Sequence, residues 1–194
     1  MSSGHRPQDH FGRRAKREGY PARSVYKLAE IDRRLRLLRP GMRVLDLGAF
    51  PGSWTMYAAD KVGGKGRVIG VDLTKHEGAL PPNAEIRQGD AFALDPGAIG
   101  TFDVVLSDMA PSTSGQKQLD QYRSFELFMR ALDVATKVLV PGGAFVGKIF
   151  QGGDFPAAKK AVAAAFEDVR VIRPEATRKE SYETFLVGIR RKPA

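Results

Sequence analysis

The residues best placed to do chemistry are charged side chains standing at or near the ends of short apolar runs: Asp46, Asp72, Asp90, Asp108, Lys148 and Glu183. Asp46 opens the stretch Asp-Leu-Gly-Ala-Phe-Pro-Gly-Ser-Trp, residues 46–54, which lies between an apolar run at 42–47 and a Gly- and Pro-free run at 54–61. The pattern is a strand, a glycine turn and a helix, and glycines at 48 and 52 leave bare backbone where a ligand can approach a helix N-terminus. A pyrophosphate fits poorly. Ala49 and Phe50 follow Gly48 where a dinucleotide fingerprint needs its second glycine, and Pro51 removes a backbone donor. S-adenosylmethionine, with an amino-acid tail, a sulfonium and a nucleoside but no phosphate, fits better. Asp72 ends the next apolar run at the distance where an acidic residue reaches ribose hydroxyls. A purely structural strand–helix turn is the plain alternative.

The elements that must position these groups alternate in type. Apolar runs predict strands at 42–47, 67–72, 85–88, 102–107 and 144–150, with helices at 21–38, 54–61, 120–139 and 155–166. Tyr122, Phe125, Leu127, Phe128, Leu132 and Val138 are the expected core face of the longest helix, and residues 112–118 form an expected mobile polar loop. The last strands, 169–172 and 184–189, are joined by a segment too short for a crossover helix, so they pair antiparallel. That reversal brings Glu183 to the same sheet edge as Asp46, Asp72, Asp108 and Lys148. The expected fold is α/β and Rossmann-like: a seven-stranded, mostly parallel sheet with an antiparallel last strand and helices on both faces, its ligand crevice at the strands' C-terminal ends. A single domain is expected at 21–194, behind a basic, flexible extension at 1–20.

The formal charge of +9 is unevenly placed: residues 1–40 carry +7, residues 170–194 carry +4, and the middle carries −2. Basic ends around a near-neutral core suit a polyanionic partner, with Arg13, Arg14, Lys16, Arg17 and Arg23 as expected phosphate contacts; a solvated basic tail is the alternative. The chain has no cysteine, which excludes disulfides and thiolate metal sites, and also methylation of a pyrimidine C5 through a covalent thiol adduct. His5, His10 and His76 do not cluster, so no metal is expected. With no apolar run near the ~20 residues that span a bilayer and no apolar signal core, the expected location is the cytoplasm, away from membranes.

Four separated stretches, together with residues 46–54, carry a resemblance: Ser24-Val25-Tyr26-Lys27-Leu28, Ser107-Asp108-Met109-Ala110-Pro111, Val146-Gly147-Lys148-Ile149-Phe150 and Ser181-Tyr182-Glu183. Over roughly 13–192 the chain resembles the FtsJ-like ribosomal RNA 2′-O-ribose methyltransferases, their bacterial large-subunit branch in particular. The resemblance implies a catalytic tetrad at Lys27, Asp108, Lys148 and Glu183, and S-adenosylmethionine contacts at Gly52, Trp54, Asp72, Asp90 and Asp108, beside the turn residues Asp46 and Gly48. It also implies ribosomal RNA as partner, in the large subunit or its late precursor, a uridine of the A-loop as target, and a monomeric enzyme. Ser53 and Phe50 depart mildly from the family pattern, which has glycine and alanine in many members.

A sulfonium methyl is already electrophilic, so the work left to the protein is alignment and the handling of one proton. Lys148 can accept that proton in a neutral form favoured by burial and a cationic neighbour such as Lys27, or stay charged and orient the oxygen; the sequence leaves both open. Asp108-Met109-Ala110-Pro111 lacks the aromatic that amino-group methyltransferases stack on a base, which favours a sugar oxygen. The rival readings are a non-catalytic RNA-binding module, a small-molecule O-methyltransferase, disfavoured by polar lid segments, and an NAD-dependent enzyme, disfavoured by the missing glycine.

Overall fold

Strands buried on both faces need near-continuous apolar sequence, and the Val/Ile/Leu runs of this chain supply it. The computed structural model describes residues 10–193. In order these form α1 (His10–Arg17), α2 (Val25–Leu35), β1 (Arg43–Leu47), α3 (Ser53–Val62), β2 (Arg67–Asp72), β3 (Ala84–Gln88), α4 (Pro96–Ile99), β4 (Phe102–Ser107), α5 (Lys117–Val138), β5 (Leu139–Phe150), α6 (Phe155–Ala165), β6 (Phe166–Ile172) and β7 (Glu183–Arg191). The sheet order is β3-β2-β1-β4-β5-β7-β6, with β1 to β5 parallel and β7 antiparallel to both its neighbours. The order reverses direction between β1 and β4, where Leu47 pairs with Ser107. Such a switch point opens the crevice in which α/β sheets bind ligands.

Side-chain alternation splits the core into two layers. Val44, Val68, Val104, Val146, Phe185 and Val187 face Leu28 and Ile31 of α2 and Trp54, Ala58 and Val62 of α3. Leu45, Leu47, Val105, Phe145, Ile149 and Leu186 face Phe128, Ala131, Leu132 and Val138 of α5 and Ala158 and Val162 of α6. By the same parity, Asp46, Lys148 and Glu183 point to the α2/α3 side.

Several local expectations need correction. Residues 10–20 are not a free extension: α1 buries Ala15, Phe11 meets Tyr26 at 5.6 Å, and the Tyr26 hydroxyl donates to Glu18 at 2.8 Å. One apolar face among basic residues was enough to dock the helix; the expectation for residues 1–9 falls outside the described residues. On α5, Tyr122 is exposed and Leu127 only half-buried, while Asp120 and Ser124 of the first turns are buried instead. Segment 112–118 is anchored, since the Asp120 carboxylate accepts from both the N–H and the hydroxyl of Ser114 at 2.8 Å each. Pro141-Gly142-Gly143 does not part helix from strand: β5 already begins at Leu139, opposite Phe102, and a register shift after that pair absorbs the Pro-Gly-Gly stretch.

Candidate active site

Two lysines and two carboxylates meet at the C-terminal edge of the sheet, from four elements far apart in sequence. Lys148, near the end of β5 and 8% exposed, donates from Nζ to the Asp108 carbonyl at 2.6 Å. The same Nζ lies 3.1 Å from Asp108 Oδ1 and 3.9 Å from Glu183 Oε2. The other Glu183 oxygen is 2.5 Å from Lys27 Nζ. The result is a row of alternating charge, Asp108–Lys148–Glu183–Lys27, neutral overall and nearly shielded from water. Removing one member of such a buried pair leaves its partner's charge uncompensated, which typically costs about 3–5 kcal/mol.

The fold fixes this row from several sides. Asp108 follows β4 at the switch point, and the antiparallel return of β7 sets Glu183 opposite Phe150, two residues past Lys148. Lys27 depends on the seating of α2. The Trp54 indole N–H donates to the Ser24 carbonyl at 2.8 Å, the Ala22 N–H donates to Ser53 Oγ at 2.8 Å, and the buried Glu30 carboxylate accepts the Glu175 N–H at 2.8 Å. Ser53 therefore turns its hydroxyl to the chain entering α2.

Beside this row lies the glycine turn. Gly48 and Gly52 have φ of +74° and +105°, and a Cβ at Gly48 would meet Met109 Cγ at 2.3 Å. Asp72 accepts from the Phe50 N–H at 3.0 Å and the Thr74 N–H at 2.7 Å, which holds its carboxylate across the turn; Asp90 accepts the Phe92 N–H at 2.8 Å. These are the features an S-adenosylmethionine site needs: left-handed glycines too crowded for side chains at a helix N-terminus, and carboxylates on successive strand ends. The residues fit the donor. Trp54 differs from the expectation in one respect, because its side chain is buried against Phe185 and bonded to Ser24, leaving only its backbone to face a ligand.

Asp46 is fully buried, and its carboxylate accepts the Thr55 hydroxyl at 2.7 Å. Burial, reinforced by the charges of Asp108 and Asp72, pushes its pKa from 3.8 up to about 7 despite the Thr55 bond. A raised carboxyl pKa means that the folded state holds the proton more tightly than the unfolded chain does. Its stabilising contribution is complete below about 4 and is lost as pH climbs to about 7. Asp46→Asn keeps an acceptor for Thr55 without that loss. We expect its thermal midpoint to exceed wild type by several degrees at pH 8, with the gap narrowing toward pH 5. A gap independent of pH, measured by calorimetry, would count against a raised Asp46.

Among the basic residues expected to meet a polyanion, Arg13, Arg14, Lys16 and Arg17 lie on α1, exposed, with Arg14 paired to Glu18 at 2.8 Å and stacked 4.6 Å over Tyr26. Arg23 donates to the Ala176 carbonyl at 2.8 Å and lies 5.6 Å over the Phe11 ring. It lines a cleft of about 410 Å³ with Ser24, Lys27, Arg178 and Glu183, which opens directly onto the charged row. The sequence reading missed Thr55, Met109 over Gly48, and His76, whose ring would lie 3.1 Å from a Cβ at Gly52. None carries a local signal; each is brought in by the turn's tertiary contacts. Among the described residues no group of His, Asp and Glu is arranged to hold a metal, and no helix is long and apolar enough to cross a membrane.

Comparison with known proteins identifies the family and the fold. The chain is 59% identical over 189 residues to ribosomal RNA large subunit methyltransferase E of Sorangium cellulosum, covering 96% of this chain and 89% of that protein. It is 49% identical over 195 residues to the protein of the same name from Desulfosudis oleivorans, covering 98% and 94%. Among solved structures, a Plasmodium falciparum protein assigned as a ribosomal RNA methyltransferase superposes with a TM-score of 0.79 at 24% identity, over 90% of this chain and all of that one. Human methyltransferase-like protein 13, solved with SAH, gives 0.61 at 15% identity over 87% and 85%, a likeness of fold. The FtsJ-like methyltransferase family model matches residues 20–191, and with that span and these relatives the chain belongs to the FtsJ-like methyltransferase family.

Proposed function

We propose that the protein methylates a ribose 2′-hydroxyl of large-subunit ribosomal RNA, the A-loop uridine, in assembled or nearly assembled particles, acting as a cytoplasmic monomer. The observation that carries the reading is the row Asp108–Lys148–Glu183–Lys27 standing between the donor crevice and the cleft beside Arg23 and Arg178. S-adenosylmethionine supplies an electrophilic methyl on a sulfonium. The protein's own residues do the rest. Gly48 and Gly52 admit the donor to the turn, and Asp72 and Asp90 hold its nucleoside end. The target ribose enters from the cleft, its phosphates met by Arg23 and by the basic face of α1.

Lys148 already faces three oxygens: the Asp108 carbonyl, the Asp108 carboxylate and Glu183. Held by these oxygens, the Lys148 head is placed to present an N–H to O2′ and to fix its lone pair in line with the methyl. With the donor bound, methyl transfer to O2′ would release the hydroxyl proton, which the Glu183 carboxylate is placed to accept while Lys27 steadies its charge. Asp108 keeps the lysine head in place.

Incubating the protein with labelled donor and unmethylated large ribosomal subunits, then mapping the label, tests the reading. Label on one 2′-oxygen of the A-loop is the expected result; label elsewhere, or none, defeats it. Asp72→Ala separates donor binding from chemistry. It should weaken donor affinity about 10-fold or more, the loss of a charge-assisted bond, in a calorimetric titration. Wild-type affinity would take Asp72 out of the site.

A further inference from the structure

One exposed aromatic stands beside the charged row and takes no part in it. Tyr182 directly precedes Glu183, yet its side chain is 46% exposed and does not line the cleft formed by Ser181, Glu183 and Arg23. Strand alternation explains the difference. Phe185 and Val187 of β7 face α2 and α3, whereas Leu186 faces α5. Glu183 shares the parity of the first set and Tyr182 that of Leu186, so the ring emerges on the α5 side of the sheet edge.

There it meets Lys117, the first residue of α5, whose Nζ lies 4.2 Å from the ring centroid. The pairing is held from both ends. The Gln151 N–H donates to the Tyr182 carbonyl at 2.9 Å, and Gln121 of α5 donates from its side-chain amide to the Gln151 carbonyl, which ties the Tyr182 backbone to the helix that carries Lys117. Two Ser114 bonds to Asp120 fix the turn ahead of Lys117. The result is an exposed aromatic ring with a cation on one face, its backbone tied to α5, and Glu183 of the charged row directly after it in the chain.

We propose that Tyr182 is a stacking platform for the base adjacent to the methylated nucleotide, with Lys117 neutralising the phosphate that joins the two. This deepens the RNA reading above and rests on it. The target ribose lies on the Lys27 side of Glu183, so the backbone that leaves it over the sheet edge reaches Tyr182 next. A base offers a flat π-face of any sequence to the ring, and an aromatic beside a cation is the combination that holds single-stranded nucleic acid. Where a base beside the target is splayed out as the ribose reaches Lys148, such a platform would replace the stacking energy that the RNA gives up.

The test uses the full chain with two probes. Against a short unstructured oligoribonucleotide, followed by fluorescence anisotropy without donor, Tyr182→Ala should weaken binding about 5- to 100-fold, the range for losing one base stack, and Tyr182→Phe should keep wild-type binding. Lys117→Gln should reduce the slope of log affinity against log salt by about 0.7, one phosphate contact on a single strand. Against unmethylated large subunits, Tyr182→Ala should raise KM with kcat little changed. Thermal midpoints should stay at wild type, since the ring is exposed and Gln151 bonds only the backbone. Wild-type oligonucleotide affinity in Tyr182→Ala, or a fall in kcat with KM unchanged, would overturn the proposal and leave Tyr182 as a spacer for Glu183. Failure of the wild-type protein to label the A-loop would instead defeat the substrate assignment, while the oligonucleotide arm still decides the platform.

Discussion

Lys148→Ala should lower single-turnover methyl transfer by about 10²-fold or more, the cost of losing the group that orients the attacking oxygen, while donor affinity stays within about twofold of wild type. The separation follows from where Nζ points. Its contacts are the Asp108 carbonyl, the Asp108 carboxylate and Glu183, with none to the glycine turn, Asp72 or Asp90. The substitution leaves Asp108 and Glu183 facing each other without the cation between them, so a lower thermal midpoint is also expected. Lys148→Met, which keeps most of the stem's volume, controls for packing. If rate loss tracks loss of donor binding in both variants, Lys148 is a cofactor residue and the charged row is structural.

The parallel strands are plain in the sequence because a sheet covered on both faces must be apolar at nearly every position, and Val68 to Val71 shows no alternation to confuse the period. The antiparallel β7 followed from the shortness of 173–183, and with it the placement of Glu183 at the edge that bears Lys148. Lys27 was the opposite case. From spacing alone it was one solvated lysine on a helix, and only the family resemblance marked it. The structure supplies the cause, since Trp54, Ser53 and Glu30 seat α2 through bonds to residues 30 or more positions away, which no local window contains.

The misses share a physical origin. Strongly basic composition predicts a free tail at α1, but a single buried Ala15 and the rings of Phe11 and Tyr26 suffice to dock two turns of helix. Polar composition predicts a mobile loop before α5, whereas one carboxylate, Asp120, satisfies two donors of Ser114 and is held below the usual carboxylate range by those bonds. In both cases composition predicts solvent exposure correctly and says nothing about anchoring. That matters for function, since both segments border the proposed RNA path and arrive at it already ordered, so less conformational entropy has to be surrendered on binding.

The two glutamates of the last loop give the most discriminating comparison, because either lies near enough in sequence to complete the tetrad. Glu183 begins β7, is 8% exposed, and its carboxylate touches both lysines, at 2.5 Å to Lys27 and 3.9 Å to Lys148. Its backbone is fixed as well, with its N–H donating to Ser181 Oγ at 3.1 Å and its carbonyl accepting from Arg173 at 3.2 Å. Glu180 is exposed at the rim of the cleft, where solvent screens whatever charge it offers, and such groups contribute about 0–1 kcal/mol. Glu183→Gln preserves size and an acceptor but removes the charge that holds two ammonium groups together and the proposed proton acceptor. Single-turnover transfer should fall by about 10²-fold or more. Glu180→Gln should stay within about twofold, with unchanged stability. Donor affinity should be untouched in both, because neither carboxylate borders the glycine turn. A larger rate loss at Glu180 than at Glu183 would show that the proton leaves through the cleft rim and that the Lys27–Glu183 pair serves only to seat α2 against the sheet.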